Sequence, residues 1–395
     1  MGIELTDEQI FATYKGEHWF KSKTKQVFEI SGAAGTGKTT LVCYLIDRLG
    51  LDYDQVLFVA YMGKAVSQLA RHGLPAKTIH SAIYNYERVC DTDENGNIIF
   101  KQNGKPKMVG KFELKERIGK KIKLIVLDEG STVETKLAED LLSFNIPIIV
   151  LGDLNQLPPP FGNPYFLKEP DVILHQILRQ KEGDPIVWLS QRVLHDEPLK
   201  YGVYGNSAVI RKSDLTDYSI KNADIVLTGT NRLRYEINTY FREKIRAYKR
   251  LDYPHIGEKL ICRRNNWDRC IDGGIYLTNG TAGIVRYVER ESYNGKSLKI
   301  DFKPDFTKTE IRNLTIDYKR LMTQNLSDNP NDDNSFFDYN LDVFEFAYAI
   351  TVHSSQGSQW PNVLFMAEKF LNAEDYKKFV YTAITRAMQS ITIMI

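Results

Sequence analysis

The sequence predicts an α/β fold in which parallel sheets present polar side chains at the carboxyl ends of their strands. Three apolar runs support this prediction, because each leads directly into glycine or polar residues: QVFEIS (26–31), KLIVLD (123–128) and IPIIVLG (146–152). Such near-continuous apolar runs are typical of strands that are buried on both faces. Further apolar runs lie far along the chain, at 344–366, and predict a second sheet and a second domain.

Length and composition are those of an ordinary globular protein. The chain has 395 residues, 43% of them hydrophobic, and a formal net charge of +2, which argues against a protein that is cationic over its whole surface. No run approaches the roughly 20 apolar residues of a membrane span, and the start lacks the apolar stretch of a signal peptide. We therefore expect an intracellular, cytoplasmic protein. Its four cysteines lack metal-ligand spacing.

The segment GAAGTGKTT is the strongest local signal of chemistry. It fits the pattern GxxxxGK[ST] and stands between a predicted strand and the helical run TTLVCYLIDRL. In this pattern backbone N–H groups cradle nucleotide phosphates, Lys38 reaches the β- and γ-phosphates, and the Thr39 hydroxyl binds Mg²⁺. The predicted nucleotide-binding residues are Gly32, Ala33, Ala34, Gly35, Thr36, Gly37, Lys38, Thr39 and Thr40.

Polar residues follow the two other predicted strands of this domain. In an α/β sheet the ligand lies beyond the carboxyl ends of the strands. We therefore expect Asp128 to hold Mg²⁺ through water and Glu129 to orient or deprotonate the attacking water. Gln156, in GDLNQLPP, is expected to touch the γ-phosphate or that water. These residues together predict that the nucleotide is hydrolysed.

Gln9 and Arg386 each have two interpretations. Thr6 and Gln9 fit a helix-capping box, although a glutamine here could instead bind the edge of adenine, and the residues alone favour the cap. Arg386 stands in a segment of apolar and small residues, where an unpaired charge would be costly. It therefore either forms a buried salt bridge or reaches across a cleft to stabilise the γ-phosphate in the transition state.

Two segments predict β-rich insertions. Asn-Gly dipeptides are strong hairpin signals, and they occur at 95–96, 103–104, 279–280 and 294–295. The first two predict a hairpin within 90–112. The last two lie in 257–302, where short strands alternate with turn signals and predict a small β-barrel. The acidic stretch 327–340 is expected to be a mobile loop.

The set of segments closely resembles superfamily 1 helicases of the RecD-like branch, which includes RecD and phage Dda helicases. The resemblance spans residues 4–388 and rests on segments in the family's order: LTDEQ, GAAGTGKTT, LFVAYMGKAVSQLA with KTIHSAI, VLDEGS, LGDLNQLPP, HQILRQ, AITVHSSQGSQW and YTAITRA. It implies two RecA-like P-loop domains with parallel sheets, plus a β-hairpin insert and a small β-barrel insert. It also implies ATP and Mg²⁺ as cofactors and 5′ to 3′ movement along single-stranded DNA.

The resemblance also assigns roles to individual residues. It makes Gln9 an adenine-reading residue, in contrast to the cap, and Gln156 the γ-phosphate sensor. Beyond the residues named above, it places Arg179, Gly357 and Arg386 at the nucleotide. It places Lys64, Thr78, His80, Ser81 and His353 at the DNA, and Tyr61 is a further DNA-binding candidate. Asn231 opens a predicted helix and is a further candidate for gripping a phosphate, although helix capping explains it equally well.

Two positions depart from the family pattern. The chain has Ser354 where the family usually has a lysine after the histidine, so a contact made by that lysine is not expected. Tyr61 and Met62 replace a proline and a threonine, and Tyr61 either stacks on a base or packs in the interior.

The expected domain boundaries follow from these assignments. The first RecA-like domain is expected at 1–170; its hairpin, at 88–112, resembles the family's strand-separating pin. The second RecA-like domain is expected at 171–255 and 340–395. The barrel insert with its acidic loop is expected at 256–339.

The leading prediction is an ATP-dependent DNA helicase. A nucleotide-switched protein such as a GTPase fits less well, because no Asn-Lys-x-Asp segment is present and a switch has no need of Arg179 and Arg386. A translocase that displaces proteins without unwinding, and an RNA substrate, remain open alternatives. Expected partners are single-stranded and forked DNA and replication or recombination proteins, with no membrane. The protein is expected to be a monomer, and a phage origin would fit.

Overall fold

The computed structural model describes residues 5–100, 104, 106, 108–158, 164–178, 183–248, 251–272, 275–323, 341–369 and 372–395. Three features of the sequence analysis lie outside these residues. They are Arg179, the acidic stretch 327–340, and residues 101–103, 105 and 107 of the hairpin segment. The chain forms two compact units. The first consists of Met1–Ala76, Lys121–Tyr253 and Phe346–Ile395, and the second of Lys77–Lys120 and Pro254–Glu345.

The helices of the described residues are mostly short and alternate with strands. They are α1 (Asp7–Ser22), α2 (Lys38–Arg48), α3 (Gly63–Arg71), α4 (Ile79–Ile83), α5 (Thr135–Leu142), α6 (Pro185–Leu194), α7 (Asp217–Asn222), α8 (Asn231–Tyr240), α9 (Tyr318–Thr323), α10 (Val352–Ser355) and α11 (Ala373–Ile384). A π-helical turn, Phe241–Ile245, continues α8. None of these helices has the length and apolar character that crossing a membrane requires.

The strands include all three apolar runs from which the parallel sheet was predicted. They are β1 (Val27–Gly32), β2 (Val56–Ala60), β3 (Ala76–Thr78), β4 (Tyr84–Cys90), β5 (Met108–Leu114), β6 (Leu124–Asp128), β7 (Ile148–Gly152), β8 (Val172–Leu174), β9 (Gly202–Tyr204), β10 (Ser207–Ile210), β11 (Ile225–Thr228), β12 (Lys259–Cys262), β13 (Asn266–Asp272), β14 (Ile275–Leu277), β15 (Ala282–Glu289), β16 (Ser297–Pro304), β17 (Ile311–Asp317), β18 (Phe344–Phe346), β19 (Ala349–Thr351), β20 (Trp360–Met366) and β21 (Ala387–Met394).

The first unit is built on two six-stranded sheets. Their strand orders are β3-β2-β6-β7-β1-β8 and β19-β11-β20-β21-β10-β9. Pairing is parallel between β1 and β7, between β2 and β6, and between β11 and β20, whereas β9 joins its sheet antiparallel. The predicted α/β class with parallel sheets is therefore confirmed.

Apolar packing fixes the helices on each sheet. In the first sheet, Trp19 of α1 stacks on Phe28 of β1, with ring centroids 5.4 Å apart, and Leu41 and Leu45 of α2 are fully buried in the same cluster. In the second sheet, Phe241 stacks on Tyr348 at 4.0 Å. Such interlocking holds the carboxyl ends of the strands rigidly, and the candidate site residues lie there.

The second unit is antiparallel. Strands β4 and β5 form a hairpin with seven paired positions, from Tyr84 opposite Leu114 to Cys90 opposite Met108. A five-stranded sheet has the order β17-β16-β15-β12-β18, and β13 pairs with β14 separately. Ile316 of β17 forms an isolated bridge with Asp342, just before β18, so hydrogen bonds link the two ends of this strand order. One bridge is less than the continuous pairing of a closed barrel, and the predicted barrel is not confirmed.

Candidate functional site

The phosphate loop joins β1 to α2, as the sequence predicts. The Lys38 ammonium donates hydrogen bonds to the carbonyl oxygens of Gly32, at 2.6 Å, and Ala33, at 2.9 Å. Gly35 and Gly37 have φ angles of +88° and +77°, which side chains rarely tolerate. The backbone therefore curls around the lysine, and α2 begins at Lys38 with its N–H groups facing the loop. The other predicted loop residues are Ala34, Thr36, Thr39 and Thr40.

Gln9 forms the capping box that its spacing with Thr6 predicts. Its backbone N–H donates to the Thr6 hydroxyl at 3.3 Å, and its amide oxygen accepts from the Thr6 N–H at 3.1 Å. Its amide nitrogen donates to the carbonyl oxygen of Thr36 at 3.2 Å, within the phosphate loop. A Cβ added at Gly37 would lie 2.6 Å from that nitrogen. Gln9 thus joins α1 to the phosphate loop, and to bind adenine it would have to exchange one of these bonds.

Asp128 and Glu129 lie together at the carboxyl end of β6. Glu129 has a φ of +54° and donates its backbone N–H to the Asp128 carboxylate at 2.9 Å. This left-handed conformation costs roughly 1–3 kcal/mol in a residue other than glycine and is common at functional sites. Burial raises the pKa of Glu129, and the charge of Asp128 raises it further, against the opposing charges of Arg386 and Lys38. Burial also raises the pKa of Asp128, whereas Lys38 lowers it.

The turn after β7 carries the predicted sensor, Gln156, which is only 5% exposed. Its amide nitrogen lies 3.4 Å from the Asp153 carboxylate. Its amide oxygen is buried and has no hydrogen-bond partner within the described part of the chain. Because a buried acceptor without a partner costs roughly 1–3 kcal/mol, this oxygen marks a place where a ligand or water would bind.

Arg386 is 2% exposed and lies just beyond the end of α11. Its guanidinium donates to the carbonyl oxygens of Thr382 and Ser358 and to the Thr385 hydroxyl, at 3.0, 3.3 and 3.0 Å. Burial lowers its pKa, and the charges of Glu129 and Asp153 act against that effect. The arginine is thus held by neutral acceptors of the second sheet and attracted by carboxylates of the first. Arg386 therefore interacts with these carboxylates through its charge and forms no direct salt bridge with them.

Gly357 and two residues of α11 complete this region. Gly357 has a φ of +67°, and a Cβ there would lie 3.6 Å from Ala65 of α3. Tyr381 donates its hydroxyl to Asp153 at 2.8 Å, and the Thr382 hydroxyl accepts from the Leu157 N–H at 2.8 Å. Sequence reasoning missed these two residues. The available signal was a pair of hydrogen-bonding side chains in the otherwise apolar second half of the helix that leads to the arginine.

The second unit contains three of the predicted DNA-contacting residues. Thr78 is buried and caps α4, accepting from the Ser81 N–H at 3.2 Å and donating to the Ser81 hydroxyl at 3.0 Å. His80 packs on Tyr84 and Phe112, with ring centroids 5.7 and 5.8 Å apart. Burial lowers the pKa of His80, so its imidazole is neutral at pH 7. Thr78 therefore orients the segment, and His80 lies beside the base of the β4–β5 hairpin.

The corresponding segment in the first unit has the same local structure. Thr351 caps α10, accepts from the Ser354 N–H at 3.3 Å and donates to the Ser354 hydroxyl at 2.9 Å. Burial lowers the pKa of His353, as it does that of His80. Ser354, at the family's usual lysine position, thus takes the structural place that Ser81 has in TIHS.

Tyr61 and Lys64 lie at the carboxyl end of β2 and the start of α3. Tyr61 is half-buried; burial and the nearby Glu134 raise the pKa of its hydroxyl. The Lys64 ammonium lies 5.5 Å from the centroid of the Trp360 ring. The half-buried position of Tyr61 is compatible with both predicted roles, packing in the interior and stacking on a base.

Asn231 begins α8, where capping is clearly present. Thr230 caps the helix through a 3.2 Å bond from the Leu233 N–H, and Asn231 accepts from Arg234 at 3.1 Å. The Glu368 carboxylate accepts from the N–H groups of Gly229 and Thr230, at 2.7 and 2.9 Å. A carboxylate of the chain itself thus occupies the backbone donors directly before Asn231.

Two family models match separate parts of the chain. The AAA domain model matches residues 18–162, which include the phosphate loop and the ends of β6 and β7. The UvrD-like helicase C-terminal domain model matches residues 346–394, which include His353 and Arg386.

Relatives with known names match over most of the chain. It is 25% identical over 391 residues to the ATP-dependent RecD2 DNA helicase of Deinococcus radiodurans, a match that covers 91% of this chain and 45% of the relative. It is 23% identical over 431 residues to the RecBCD enzyme subunit RecD of Buchnera aphidicola, covering 92% and 69%. An uncharacterised protein of Methanocaldococcus jannaschii is 24% identical, covering 93% and 36%. The chain thus spans less than half the length of two of these three relatives.

Solved structures match in fold. The Pif1 helicase from Bacteroides in complex with ADP-AlF3 and ssDNA superposes with a TM-score of 0.53 at 16% identity, covering 99% of this chain and 92% of that one. The Pif1 helicase from Candida albicans gives a TM-score of 0.50 at 16% identity, covering 100% and 94%. The two family models and the sequence relatives thus support a superfamily 1 helicase of the RecD type, and the solved structures show that the chain shares its fold with Pif1 helicases.

Proposed function

We propose that this chain is an ATP-dependent DNA helicase that moves 5′ to 3′ along single-stranded DNA and separates duplex ahead of it. One observation carries the proposal. In the first unit, the phosphate loop with Lys38, the carboxylates of Asp128 and Glu129, and the amide oxygen of Gln156 follow the neighbouring strands β1, β6 and β7 at their carboxyl ends. Such an arrangement can bind ATP and activate water for its hydrolysis, and Arg386 can couple the reaction to movement of the element that carries it.

ATP would bind along the loop from Gly32 to Thr40, with Lys38 leaving its present carbonyl partners for the phosphates. Gln9 would read adenine by exchanging its bond to Thr36. We propose that the Thr39 hydroxyl, and Asp128 through water, hold Mg²⁺. The residues fit, since a cation would stabilise a carboxylate whose pKa is raised by burial. When bound, Mg²⁺ neutralises charge on the β- and γ-phosphate oxygens.

Oxygen ligands from phosphates and water would complete the metal site. Within the described residues, no group of three or more His, Cys, Asp or Glu side chains is arranged to hold a metal. Mg²⁺ usually retains several waters and needs only one or two protein oxygens beside substrate phosphates.

Hydrolysis would depend on three side chains with different tasks. The Glu129 carboxylate accepts a proton from the attacking water, a task for which a raised pKa makes it a better base. The amide oxygen of Gln156, which has no other partner in the described chain, would accept a hydrogen bond from that water and so position it. Arg386 would contribute positive charge in the transition state. Arg179, assigned by the family resemblance, would be the second such arginine.

DNA would contact the TIHS and TVHS segments through His80, Ser81 and His353. Tyr61, Lys64 and Asn231 are further candidates for this surface, and Thr78 would serve by orienting its neighbours. The Pif1 structure with ssDNA and the name of the RecD2 relative support DNA as the substrate. We also propose that the protein acts as a monomer, with replication or recombination proteins as its partners.

The finer architecture has its own proposed roles. The β4–β5 hairpin would be the pin that divides the duplex, because its seven paired positions form a rigid two-stranded ribbon that presents the segment after Cys90 to the duplex. The five-stranded sheet of the second unit would act as the family's small barrel does and help to keep the strand against this pin.

Strand separation on matched duplexes tests the proposal. One duplex carries a 5′ single-stranded tail and the other a 3′ tail of the same sequence, and both are incubated with ATP and Mg²⁺. We expect unwinding of the 5′-tailed duplex alone. Unwinding from the 3′ tail would contradict the direction, and strand-stimulated ATPase without unwinding would favour a translocase that displaces proteins.

A further inference from the structure

A buried polar network in the first unit joins the turn after β7 to helix α11. Asp153 and Tyr381 are each 1% exposed, and the Tyr381 hydroxyl donates to the Asp153 carboxylate at 2.8 Å. The same carboxylate oxygen lies 3.4 Å from the amide nitrogen of Gln156. Its other oxygen accepts from the Asn155 N–H at 3.0 Å. One carboxylate thus binds both the γ-phosphate sensor proposed above and a tyrosine of the helix that leads to Arg386.

Leu157 provides a second link between the same elements. Its N–H donates to the Thr382 hydroxyl at 2.8 Å, and its carbonyl accepts from the Gln356 amide at 2.6 Å. The backbone directly after Gln156 is therefore held on both sides by residues of the second sheet's half of the unit. A displacement of this turn would pull on α11.

Thr382 completes the path to the arginine. Its hydroxyl binds Leu157, while its carbonyl oxygen accepts from the Arg386 guanidinium at 3.0 Å. Tyr381 and Thr382 are adjacent on α11, so both bonds from the turn reach the same place on this helix. The arginine's remaining acceptors, Ser358 and Thr385, are neutral.

We propose that Tyr381 is a positioning residue that couples the γ-phosphate sensor Gln156 to Arg386. Through its hydroxyl it fixes the Asp153 carboxylate, which in turn holds the amide nitrogen of Gln156 and leaves the amide oxygen directed to the site. This inference rests on the proposed function and adds to it a specific route between sensor and arginine. Tyr381 would touch neither ATP nor the attacking water.

A buried tyrosine with a satisfied hydroxyl is also an ordinary core residue, so the test must separate coupling from packing. Tyr381→Phe removes the hydroxyl and keeps the ring. Turnover of ATP is measured with and without single-stranded oligonucleotide, giving kcat and KM. We expect kcat with the oligonucleotide to fall about tenfold, the effect of losing one hydrogen bond to a charged group, while KM for ATP stays the same. An unchanged kcat would overturn the proposal.

Tyr376→Phe is the matched control, because Tyr376 lies on the same helix, is half-buried and packs on Phe379. It should retain the wild-type kcat. Melting curves of both variants show whether a loss of activity accompanies a loss of fold. If Tyr381→Phe does not fold, Asp153→Asn tests the same bond from its other end and should also lower kcat without changing KM.

A double-mutant cycle identifies the route. If Tyr381 acts through Asp153, adding Tyr381→Phe to Asp153→Asn should change kcat by less than about twofold, because the bond is already weakened. Full additivity of the two losses would overturn the route through Asp153. The wild type tests the proposed function separately: a wild type that does not hydrolyse ATP overturns both proposals, whereas an active wild type with an active Tyr381→Phe variant overturns only the coupling.

Discussion

The ammonium group of Lys38 lies 2.6 Å from the carbonyl oxygen of Gly32, at the start of the loop that it would share with ATP. The lysine thus binds its own loop, and the phosphates of ATP would replace the loop carbonyls as its partners. We expect Lys38→Ala to lower kcat for ATP hydrolysis at least about a hundredfold, since it removes a charge that acts on the reacting phosphate. Phosphate release in the presence of oligonucleotide measures this loss.

The fold should survive this substitution, because Lys38 opens α2 and, within the described residues, its ammonium donates hydrogen bonds to backbone carbonyls of the loop and to no side chain. Thermal melting provides the control. Hydrolysis at the wild-type rate in a folded Lys38→Ala protein would refute the assignment of the nucleotide site.

Shortening the hairpin should separate unwinding from ATP hydrolysis. Cys90 and Met108 are paired across the end of the β4–β5 ladder, so replacing 91–107 by Asn-Gly joins them with the turn that this geometry favours. We expect strand-stimulated ATPase to persist and unwinding of the 5′-tailed duplex to fall to background. Unwinding at the wild-type rate would show that the removed segment is not needed for strand separation. A variant with a Gly-Ser linker of the original length controls for chain length.

The two buried histidines make a prediction about pH. Burial lowers the pKa of His80 and His353, so their folded-state pKa values lie below the unfolded value of about 6.5. Between these values the unfolded chain binds more protons. Stability contributed by each neutral imidazole is therefore complete above about pH 6.5 and is lost progressively as the pH falls from there through the lower pKa of the folded state.

The measurement is the melting temperature between pH 7.5 and pH 5.5, about one unit on either side of the unfolded pKa. We expect the decrease on acidification to be smaller in His80→Gln than in the wild type. The raised pKa of Glu129 makes both proteins more stable on acidification, which opposes the effect of the histidines. The result therefore depends on the difference between the two decreases in melting temperature. Equal decreases would mean that His80 titrates as an exposed histidine does.

The sheet and the phosphate site could be predicted because their signals are local. Apolar runs identify β1, β6 and β7, and parallel pairing brings the polar residues after them to one edge. The glycines of all four Asn-Gly dipeptides likewise have positive φ, at Gly96, Gly104, Gly280 and Gly295. A turn signal shows where the chain bends, however, and does not determine which strands pair. The barrel prediction rested on such signals and is not confirmed for that reason.

The polar network could not be predicted for a related reason. Asp153 and Tyr381 are separated by 228 positions, and Thr230 and Glu368 by 138. Neither pair leaves a periodic pattern in the sequence, because its partners meet only after the strands between them have been ordered. Gln9 shows the converse: its capping box, a contact over three positions, was predicted from the residues alone and is confirmed.

Ser354 makes the last prediction, about the strength and salt dependence of DNA binding. The residue occupies the usual lysine position of the family, in a segment whose histidine is neutral at pH 7. If the TVHS segment faces the DNA backbone, Ser354→Lys adds one cation beside a phosphate. Each such contact steepens the dependence of log K on log salt by about 0.7 for single strands. Fluorescence anisotropy with labelled oligonucleotide over a salt series measures this dependence. Compared with the wild type, Ser354→Lys should bind more tightly at low salt, and its plot of log K against log salt should be steeper by about 0.7. Asn222→Lys is the matched control, because this exposed residue ends α7 just before β11 and so lies at the amino ends of the parallel strands, whereas Ser354 follows the carboxyl end of β19. It adds the same net charge away from the proposed surface and should leave the slope unchanged. Equal slopes for Ser354→Lys and the wild type would remove the TVHS segment from the DNA interface.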